Sequence, residues 1–537
     1  MAATDVILLW GSNARETHPI FFHHVLRAVR RGARLFVVDP RRTTSAQWAD
    51  GWLPLRVGTD IALANGVARV ILTHHLEHRA FIERATSGFE AFRASVEPYT
   101  LERTEHETGV PAARIEAMAL AYARADRAQI CWTLGITEHH DAVDNVFALI
   151  NLALLTGHVG RYASGLNPLR GQNNVQGGGD MGALPHKLVG FQDVEDDVVR
   201  TKFEAAWNAK IPPRNGWHLT EMFEAMGRRE LTALYVIGEN PAQSEADAKH
   251  TLERLRGLEA LVVQDIVMTR TAEMADVVFP ASASFCESDG TVTNSERRVQ
   301  RVRRAVSPPG EARDDIAILC DLARAMGRDL GDPTSEQLWD ELRALSPMHR
   351  GMSYARLDTH GGLQWPCPDE DTVGPTFLHG RLWEEDESRR GPRCGFHPVV
   401  QKGPAEKLSD EYPLRLTTGR RLDAYNTGVQ SGPIASPMRR ETVDLHPDDA
   451  RRLGVRAGER VRVISKRGSV VAPVAIDPGL QPGLVFMTFH DPAAVETNLL
   501  TVDAWDPKSG TAEFKAAAVR IEKLGDGDRS ASDHAAE

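Results

Sequence analysis

The sequence predicts an α/β protein made of two related, doubly wound parallel units followed by a C-terminal β-barrel. Two observations predict the units: a strand–turn–helix–strand pattern near the start of the chain, and the return of that pattern far downstream. A third predicts the barrel, because residues 446–489 alternate apolar and polar side chains between Gly and Pro turns. The expected segments are 1–172 for the first α/β unit, 173–345 for the second, 346–408 for a connecting segment, 409–524 for the barrel and 525–537 for a disordered tail.

The first unit starts with an apolar strand at Val6–Trp10, which is followed by a polar turn. Apolar residues at helical spacing predict a helix over roughly His18–Arg31, and Gly32 is a typical stop. A second strand, Arg34–Val38, ends in Asp39. This is a βαβ unit, in which the two strands lie parallel and adjacent.

The same pattern returns with a strand at Ala233–Ile237, a helix through roughly Ala248–Arg256 and a strand at Leu261–Gln264. Four residue types then recur at identical offsets after the two strand-end aspartates. The matched positions are Asp39, Thr43, Ala49, Asp50 and Pro54 in the first copy and Asp265, Thr269, Ala275, Asp276 and Pro280 in the second. We interpret the two segments as copies of one Rossmann-like unit.

Such units bind ligands beyond the carboxyl ends of their parallel strands, with phosphates near the glycine turn and a strand-end acid on a polar edge. Two copies therefore suggest two nucleotides. Any doubly wound domain can carry a turn glycine and a strand-end Asp, so one copy alone leaves a structural role equally open. Neither turn has the G-x-G-x-x-G spacing, which argues against ordinary NAD binding.

Bulk composition narrows the class of protein. The 537 residues carry a formal charge of -11 with Lys and Arg dispersed, so no nucleic-acid partner is expected. The five cysteines form no C-x-x-C, which indicates neither a disulfide framework nor an iron–sulfur or zinc loop, and no metal-ligating residue is predicted. No run of about 18 apolar residues occurs and no leader is recognisable, so we expect no membrane insertion and a cytoplasmic location.

Residues 165–182, GLNPLRGQNNVQGGGDMG, combine bare backbone, amides and one fixed positive charge. A segment so poor in large apolar side chains cannot hold itself together, yet it lies between hydrophobic regions. We expect a loop moulded around a ligand. Arg170 offers a planar donor pair suited to a carboxylate, although a structural ion pair would use it equally well.

Three stretches carry a family resemblance: LGIT at 134–137, LLTGHVG at 154–160 and NPLRGQNNVQGGGDMGALP at 167–185. Together they resemble the molybdopterin oxidoreductase family, and RGQNNVQG specifically resembles formate dehydrogenase catalytic (alpha) subunits. The resemblance implies a bis-molybdopterin guanine dinucleotide (bis-MGD) cofactor with molybdenum or tungsten, whose two nucleotide arms would occupy the two units. It also implies that the barrel is a double-psi-like molybdopterin dinucleotide-binding domain.

By the same resemblance Arg170 is the catalytic arginine that binds the substrate. One cofactor arm would contact Gly11, Ser12, Asn13, Asp39, Arg41, Thr43, Gly58, Thr59 and Asp60. The other would contact Gly238, Glu239, Asn240, Ser244, Gln264, Asp265 and Thr269. The remaining implied contacts are Gly135 and Thr137 beneath the pterin, the amides Gln172, Asn173 and Asn174, and Thr418, Arg420, Asn498 and Lys515 of the barrel. His139 and His140 follow the LGIT turn and either line the same cavity or serve the fold.

The chain departs from the family pattern before its first strand. Formate dehydrogenase catalytic subunits carry an N-terminal portion with a [4Fe–4S] site and a Cys or selenocysteine metal ligand, and this sequence has neither. The resemblance implies oxidation of formate, or a similar small anion, to CO2, with an electron-transfer subunit or a separate N-terminal polypeptide as partner. Four alternatives stay open: a formate dehydrogenase chain that starts late, a split enzyme whose N-terminal part is a separate polypeptide, a non-catalytic bis-MGD-binding remnant or scaffold subunit, and a reductase of another small substrate from the same family.

Overall fold

The computed structural model describes residues 1–284, 286–424, 426 and 440–524. The predicted tail at 525–537 lies outside the described residues. Contacts divide the chain into two compact units: residues 1–169, 243–251 and the described part from 377 onward form one, and residues 170–242 and 252–376 form the other. The predicted segment boundaries stay predictions, since the contact-based units are discontinuous in sequence.

The strands of the described residues, in chain order, are β1 Val6–Trp10, β2 Arg34–Val38, β3 Gly51–Leu53, β4 Thr86–Ser87, β5 Ala128–Trp132, β6 Gly165–Pro168, β7 Lys187–Leu188, β8 Gln192–Asp193, β9 Ala233–Ile237, β10 Ala260–Asp265, β11 Val277–Pro280, β12 Gly290–Thr293, β13 Arg298–Val302, β14 Leu363–Gln364, β15 Cys394–Gly395, β16 Leu414–Thr418, β17 Val443–Leu445, β18 Arg460–Ile464, β19 Ser469–Ile476, β20 Leu484–Met487 and β21 Ala517–Lys523. The α-helices are α1 Ala14–Thr17, α2 Pro19–Val29, α3 Asp60–Thr73, α4 Arg79–Ala85, α5 Phe89–Val96, α6 Leu101–Thr108, α7 Ala112–Arg124, α8 Leu134–Thr137, α9 Ala142–Thr156, α10 Val175–Asp180, α11 Asp197–Trp207, α12 Leu219–Gly227, α13 Pro241–Ser244, α14 Ala248–Arg256, α15 Arg270–Glu273, α16 Asp315–Ala325, α17 Ser335–Leu345, α18 Tyr354–His360, α19 Glu387–Arg390 and α20 Pro447–Leu453.

The first unit holds a fully parallel sheet in the order β3-β2-β1-β5-β6. Every residue of β1 is buried, and its alternate side chains join two different cores. One core contains Leu8 and packs against α3, α7 and α9, while the other contains Ile7 and packs against α2. Strand order reverses between β1 and β5, so this sheet has a switch point, where such sheets bind ligands.

The predicted β-barrel is present as a closed barrel in the order β16-β20-β17-β19-β18-β21. The β16–β20 and β17–β19 pairs are parallel and the other pairs are antiparallel. Alternation along β19 puts Val470, Ala472 and Val474 in the barrel core, which is the pattern that predicted the barrel.

The second unit contains a parallel sheet in the order β11-β10-β9, and a separate antiparallel sheet in the order β12-β13-β14. The order β11-β10-β9 corresponds to β3-β2-β1 of the first sheet. Among the described residues this sheet has three strands, so a switch point is seen in the first sheet only.

The repeated aspartates have a structural reason. The carboxylate of Asp50 accepts a hydrogen bond from Leu35 N at 2.8 Å, and that of Asp276 accepts one from Leu261 N at 2.7 Å. In both copies the aspartate N–H also donates to the carbonyl of the same leucine at 2.8 Å. Each aspartate therefore satisfies the backbone N–H and C=O of a leucine in the second strand, and the third strand begins at the next residue.

The glycine-rich segment 165–182 differs from the predicted loop. Gly165–Pro168 is the edge strand β6, and Val175–Asp180 is the short helix α10. The strand forms because its backbone pairs with β5, and the helix contains three glycines that propensity alone would disfavour. Residues 169–174 remain as the connecting loop.

Candidate functional site

Two bare-backbone turns lie side by side at the switch point of the first sheet. The turn after β1 carries Gly11, and the turn after β5 leads through Thr133 to Gly135 in α8. Gly135 N donates to Gly11 O at 3.1 Å, and Thr133 Oγ1 donates to the same carbonyl at 2.8 Å. A Cβ at Gly135 would lie 2.5 Å from that oxygen, and Gly11 has a φ of +56°. Both positions therefore require glycine.

The residue after Gly11 has a side chain suited to a polar ligand. Ser12 is 1% exposed, and its hydroxyl has no partner among the described residues. A buried hydroxyl without a partner costs about 1–3 kcal/mol, which a ligand atom at this turn would recover. The orphaned hydroxyl beside bare backbone fits the phosphate or amide edge of a nucleotide.

The two copies brace their glycine turns in the same way. Asn13 Oδ1 accepts hydrogen bonds from Ser45 Oγ at 2.9 Å and Ser45 N at 3.3 Å. Asn240 Oδ1 accepts them from Thr271 Oγ1 at 2.8 Å and Thr271 N at 3.1 Å. These asparagines tie each first turn to the segment after the second strand, and their predicted cofactor contacts stay predictions.

Thr43 and Thr269 occupy equivalent positions in these segments. Their hydroxyls accept from Ala46 N at 3.3 Å and from Ala272 N at 3.2 Å. Thr269 thus caps α15, and Thr43 makes the equivalent contact just before the short helical turn at Ala46–Trp48. The identical offsets seen in the sequence correspond to identical backbone contacts.

The strand-end aspartates are also alike locally. Asp39 Oδ1 accepts from Arg41 N at 2.9 Å, and Asp265 Oδ1 accepts from Ile266 N at 2.7 Å. Burial raises the pKa of both carboxyls, and at Asp39 the guanidinium of Arg41 and the ammonium of Lys515 oppose the rise. A carboxylate that burial has stripped of water is suited to accepting hydrogen bonds from the N–H groups of a ligand.

The barrel contributes an aromatic contact near Asp39. The guanidinium of Arg41 lies 3.5 Å from the centre of the Phe486 ring, and that of Arg421 lies 5.3 Å from it. Phe486 is buried in β20, so the ring fixes the direction of Arg41. No local signal in the sequence connected Phe486 to this site, because the contact joins distant segments.

The turn before α3 and the first residue of that helix provide three of the predicted contact residues. Gly58 has a φ of +76°, and Thr59 Oγ1 donates to Arg56 O at 2.7 Å. Asp60 is buried and accepts from Trp10 Nε1 at 2.8 Å. Burial raises the pKa of Asp60 to about 6.

The predicted barrel residues make contacts inside the first unit. Lys515 Nζ donates to Thr418 O at 2.9 Å and forms an ion pair with Glu138 at 2.9 Å. Glu138 comes directly after Thr137, the last residue of the LGIT turn. Asn498 Nδ2 donates to Gln243 O at 2.9 Å and to Ser244 O at 3.3 Å. Arg420 is half-buried. These side chains join the barrel to the segments that the resemblance assigned to the cofactor.

The predicted residues of the second unit divide by exposure. Gly238, with a φ of +63°, and Glu239 are exposed after β9. Gln264 is buried, and its amide bonds to Tyr235 Oη and to the Asp315 carboxylate. The Gln264 side chain braces the sheet, and its predicted cofactor contact stays a prediction. Gly238 and Asp265 present backbone and carboxylate at the carboxyl edge of this sheet.

Arg170 and the amides after it stand on the loop before α10. Arg170, Gln172 and Asn173 are exposed, and a Cβ at Gly171 would meet nothing within 4 Å. Asn174 has a φ of +59°, and its Oδ1 accepts from Thr293 N at 2.9 Å. The arginine and two amides are thus accessible to a ligand, whereas Asn174 anchors the loop.

The charged neighbour of this loop is Asp180, at the end of α10. Burial raises the pKa of Asp180 to about 6. The Gln176 amide, the Trp365 indole and the positive charge of Arg170 each lower this pKa, but burial outweighs them. The role of Arg170 in substrate binding stays a prediction.

In the described ranges, no three His, Cys, Asp or Glu side chains are grouped so as to hold a metal ion. Nor does any helix in the described part of the chain have the length and apolar character needed to cross a membrane. The cysteines of these ranges are free thiols, and Cys131, Cys320 and Cys367 are buried.

Comparison with known proteins agrees with the resemblance. A family model described as molybdopterin oxidoreductase matches residues 1–325, and one described as molydopterin dinucleotide binding domain matches 414–518. The chain is 40% identical over 527 residues to the F420-dependent formate dehydrogenase subunit alpha of Methanocaldococcus jannaschii, covering 97% of this chain and 76% of that protein. It is 35% identical to formate dehydrogenase H of Escherichia coli, covering 97% of this chain and 73% of that protein. The acetylene hydratase of Pelobacter acetylenicus has a similar fold, with a TM-score of 0.74 and 21% identity over 98% of this chain and 78% of that one.

Proposed function

This chain belongs to the molybdopterin oxidoreductase family, and we propose that it is a formate-oxidising member that binds a bis-MGD cofactor. When bound, such a cofactor supplies a molybdenum or tungsten centre that takes two electrons from the substrate. The chain's own residues bind and orient the cofactor and the substrate. The proposed partners are formate or a similar small anion and an electron-transfer subunit or separate polypeptide.

The cofactor part of the proposal is supported by the paired turns of the first sheet. Gly11 and Gly135 leave backbone bare, and the buried Ser12 hydroxyl needs a partner. Asp39 and Asp265 present carboxylates at the strand ends of two equivalent units, which suits the donor edges of two guanines. We propose that these are two Rossmann-like units holding the two nucleotide arms, and that the barrel is double-psi-like and closes over the pterins.

The observation that carries formate as the substrate is Arg170 within R-G-Q-N-N-V-Q-G, in a chain 40% identical to a formate dehydrogenase alpha subunit. A guanidinium stays charged at every physiological pH and donates two parallel hydrogen bonds to a carboxylate. Held in this way, formate would present its C–H bond away from the arginine. Arg170 thereby positions the substrate without itself reacting.

Two measurements separate the enzyme from its alternatives. Metal analysis with guanine quantification on the purified chain tests for the cofactor, and absence of both rejects the binding proposal. Formate-dependent dye reduction is then measured with and without the product of the upstream reading frame. Cofactor without formate oxidation in either preparation would favour a remnant or scaffold subunit, and dye reoxidation by another small substrate would favour a reductase.

Replacing Arg170 tests the substrate role directly. We expect Arg170→Ala to raise KM for formate and lower kcat, with a loss of kcat/KM of about 100-fold or more, since a charge-assisted bidentate pair is lost. Arg170→Lys should recover part of KM but not the full kcat, because lysine lacks the planar fork. Arg214, which is also exposed in the same unit, provides a matched control as Arg214→Ala. An unchanged kcat/KM in Arg170→Ala would remove this residue from the active site.

A further inference from the structure

A buried carboxylate just before β21 joins three segments of the first unit. Glu513 is 0% exposed, and its Oε1 accepts from His140 Nδ1 at 3.0 Å. Its Oε2 accepts from Ala405 N at 3.0 Å. Oε1 also lies 3.5 Å from His139 Nδ1, which is an ion-pair distance. Nothing in the local sequence around Glu513 indicates such a role.

His139 connects this carboxylate to the glycine turns. It is 3% exposed, and its Nε2 donates to Gly135 O at 3.2 Å. Because a carbonyl and a carboxylate can only accept, both ring nitrogens face acceptors when the ring is doubly protonated. Nε2 is hydrogen-bonded to Gly135 O, whereas Nδ1 makes an ion-pair contact with Glu513 and has no hydrogen-bond partner among the described residues. Burial lowers the pKa of His139, but the carboxylates of Glu513 and Asp60 outweigh burial and raise it above the usual 6.5.

Among the described residues, four other charged or titratable groups surround His139 and Glu513. Asp60 of α3 and Asp141 before α9 face His139, and burial raises the pKa of both carboxyls, to about 6 for Asp60. His140 and the guanidinium of Arg415 in β16 lie near Glu513. Burial opposes ionisation of Glu513, but the two histidines lower its pKa below the usual 4.5.

We propose that Glu513 is a positioning residue: through His139 it holds the α8 turn against the Gly11 turn, in the arrangement in which both would receive the cofactor. The contacts run from Glu513 to His139, from His139 to Gly135 O, and from Gly135 N to Gly11 O. The relevance to the cofactor rests on the proposed function. The barrel segment thus sets the geometry of turns that lie far from it in sequence.

Glu406 provides a matched control in the same unit. It is 9% exposed, pairs with Arg467 at 2.9 Å and accepts from Ala518 N at 2.7 Å. It is therefore a similarly buried ion-paired carboxylate at the barrel, but its side chain has no hydrogen bond or ion pair with the glycine turns among the described residues. Glu513→Gln and Glu406→Gln each remove one buried charge with little change of shape.

Hydrogen exchange on the cofactor-free protein tests the positioning claim. We expect Glu513→Gln to speed exchange of the amides of 11–17 and 135–140 by about fivefold or more, since opening these turns becomes easier by about 1 kcal/mol. Glu406→Gln should leave those amides unchanged. His139→Gln should reproduce the effect, and the double variant should be no faster than either single one, because both act through one contact. Unchanged exchange in Glu513→Gln would overturn the proposal whether or not the protein binds a cofactor.

The pH dependence distinguishes a His-linked carboxylate from an Arg-linked one. The folded state holds the His139 proton more tightly than the unfolded state does, because the pKa of His139 is raised. The protonated ring therefore contributes stability that is fully present below pH 6.5 and is lost as pH rises through the folded-state pKa. The fall in Tm caused by Glu513→Gln should therefore shrink between pH 6 and pH 9. The fall caused by Glu406→Gln should stay constant, because Arg467 remains charged. Parallel behaviour of the two variants would contradict the His139 linkage.

Guanine content per chain tests the link to the cofactor. In protein matured with bis-MGD, we expect Glu513→Gln to retain several-fold less guanine than wild type, and Glu406→Gln to retain the wild-type amount. Normal guanine content in Glu513→Gln would reject its role in receiving the cofactor. If wild type itself holds no guanine, the proposed function fails, while the exchange experiment still decides whether Glu513 positions the turns.

Discussion

The contact between the two glycine turns can be tested by adding one methyl group. In Gly135→Ala the new Cβ would lie 2.5 Å from Gly11 O and 2.6 Å from Gly11 Cα. Ordinary contact begins near 3.4 Å, so the turns must separate by about 0.9 Å, and both sides of the contact are backbone that cannot rotate away.

The cost follows from that separation. The hydrogen bond from Gly135 N to Gly11 O, at 3.1 Å, would stretch to about 4 Å and be lost, which costs about 1 kcal/mol. Overpacking adds about 1–3 kcal/mol, so the expected loss of stability is about 3 kcal/mol. For a domain of about 150–250 residues, a loss of about 3 kcal/mol corresponds to a fall in Tm of roughly 6–12 °C.

Thermal unfolding of purified variants measures this loss, and Gly178→Ala is the matched control. A Cβ at Gly178 would meet nothing within 4 Å, and the residue lies inside α10, where alanine is favoured over glycine by up to about 1 kcal/mol. We expect Gly178→Ala to unfold at or slightly above the wild-type temperature. A Gly135→Ala protein that unfolds within about 1 °C of wild type would refute the close packing of the two turns.

Two further predictions concern stability. Asn13→Ala and Asn240→Ala should each lower the free energy of unfolding by about 2 kcal/mol, because each removes the two hydrogen bonds that the equivalent braces share. Asn13→Ala also loses the longer bond from Thr44 Oγ1 at 3.2 Å. Denaturant titration should give similar losses, and a large loss in one copy only would contradict their equivalence. Burial raises the pKa of Glu441 to about 8, so the folded state holds this proton more tightly than the unfolded state does. The stability of the wild type should therefore fall relative to that of Glu441→Gln as pH rises from 4.5 to about 8, by up to about 1.4 kcal/mol per pH unit. Thermal unfolding of both proteins between pH 5 and pH 9 checks this, and parallel curves would show that Glu441 does not titrate in that range.

Local patterns in the sequence were sufficient for the secondary structure of the repeated units. The strands Val6–Trp10, Arg34–Val38 and Ala233–Ile237 and the helix Ala248–Arg256 have the predicted bounds, because burial on a sheet or helix face imposes a periodicity that can be read from neighbouring residues. The predicted helix at His18–Arg31 is shorter, Pro19–Val29, since proline favours the first helical position.

The same local reasoning was wrong about part of the segment 165–182. Its composition predicted a loop, yet β6 forms because the edge of β5 offers backbone partners. Pairing with a neighbouring strand overrides propensity, and the sequence of the segment does not contain that neighbour.

The sequence by itself determined the family, the repeated βαβ units, the barrel and the residue types available for a nucleotide and a small anion. The units and the barrel follow from residue pattern and spacing, whereas the family follows from the resemblance of motifs such as RGQNNVQG. The tertiary structure decided which side chains brace the fold, such as Asn13 bound to Ser45, and which contacts join distant segments, such as Glu513 to His139. Such contacts depend on how strands and helices pack in three dimensions, and a one-dimensional pattern carries no term for the distance between residues far apart in the chain.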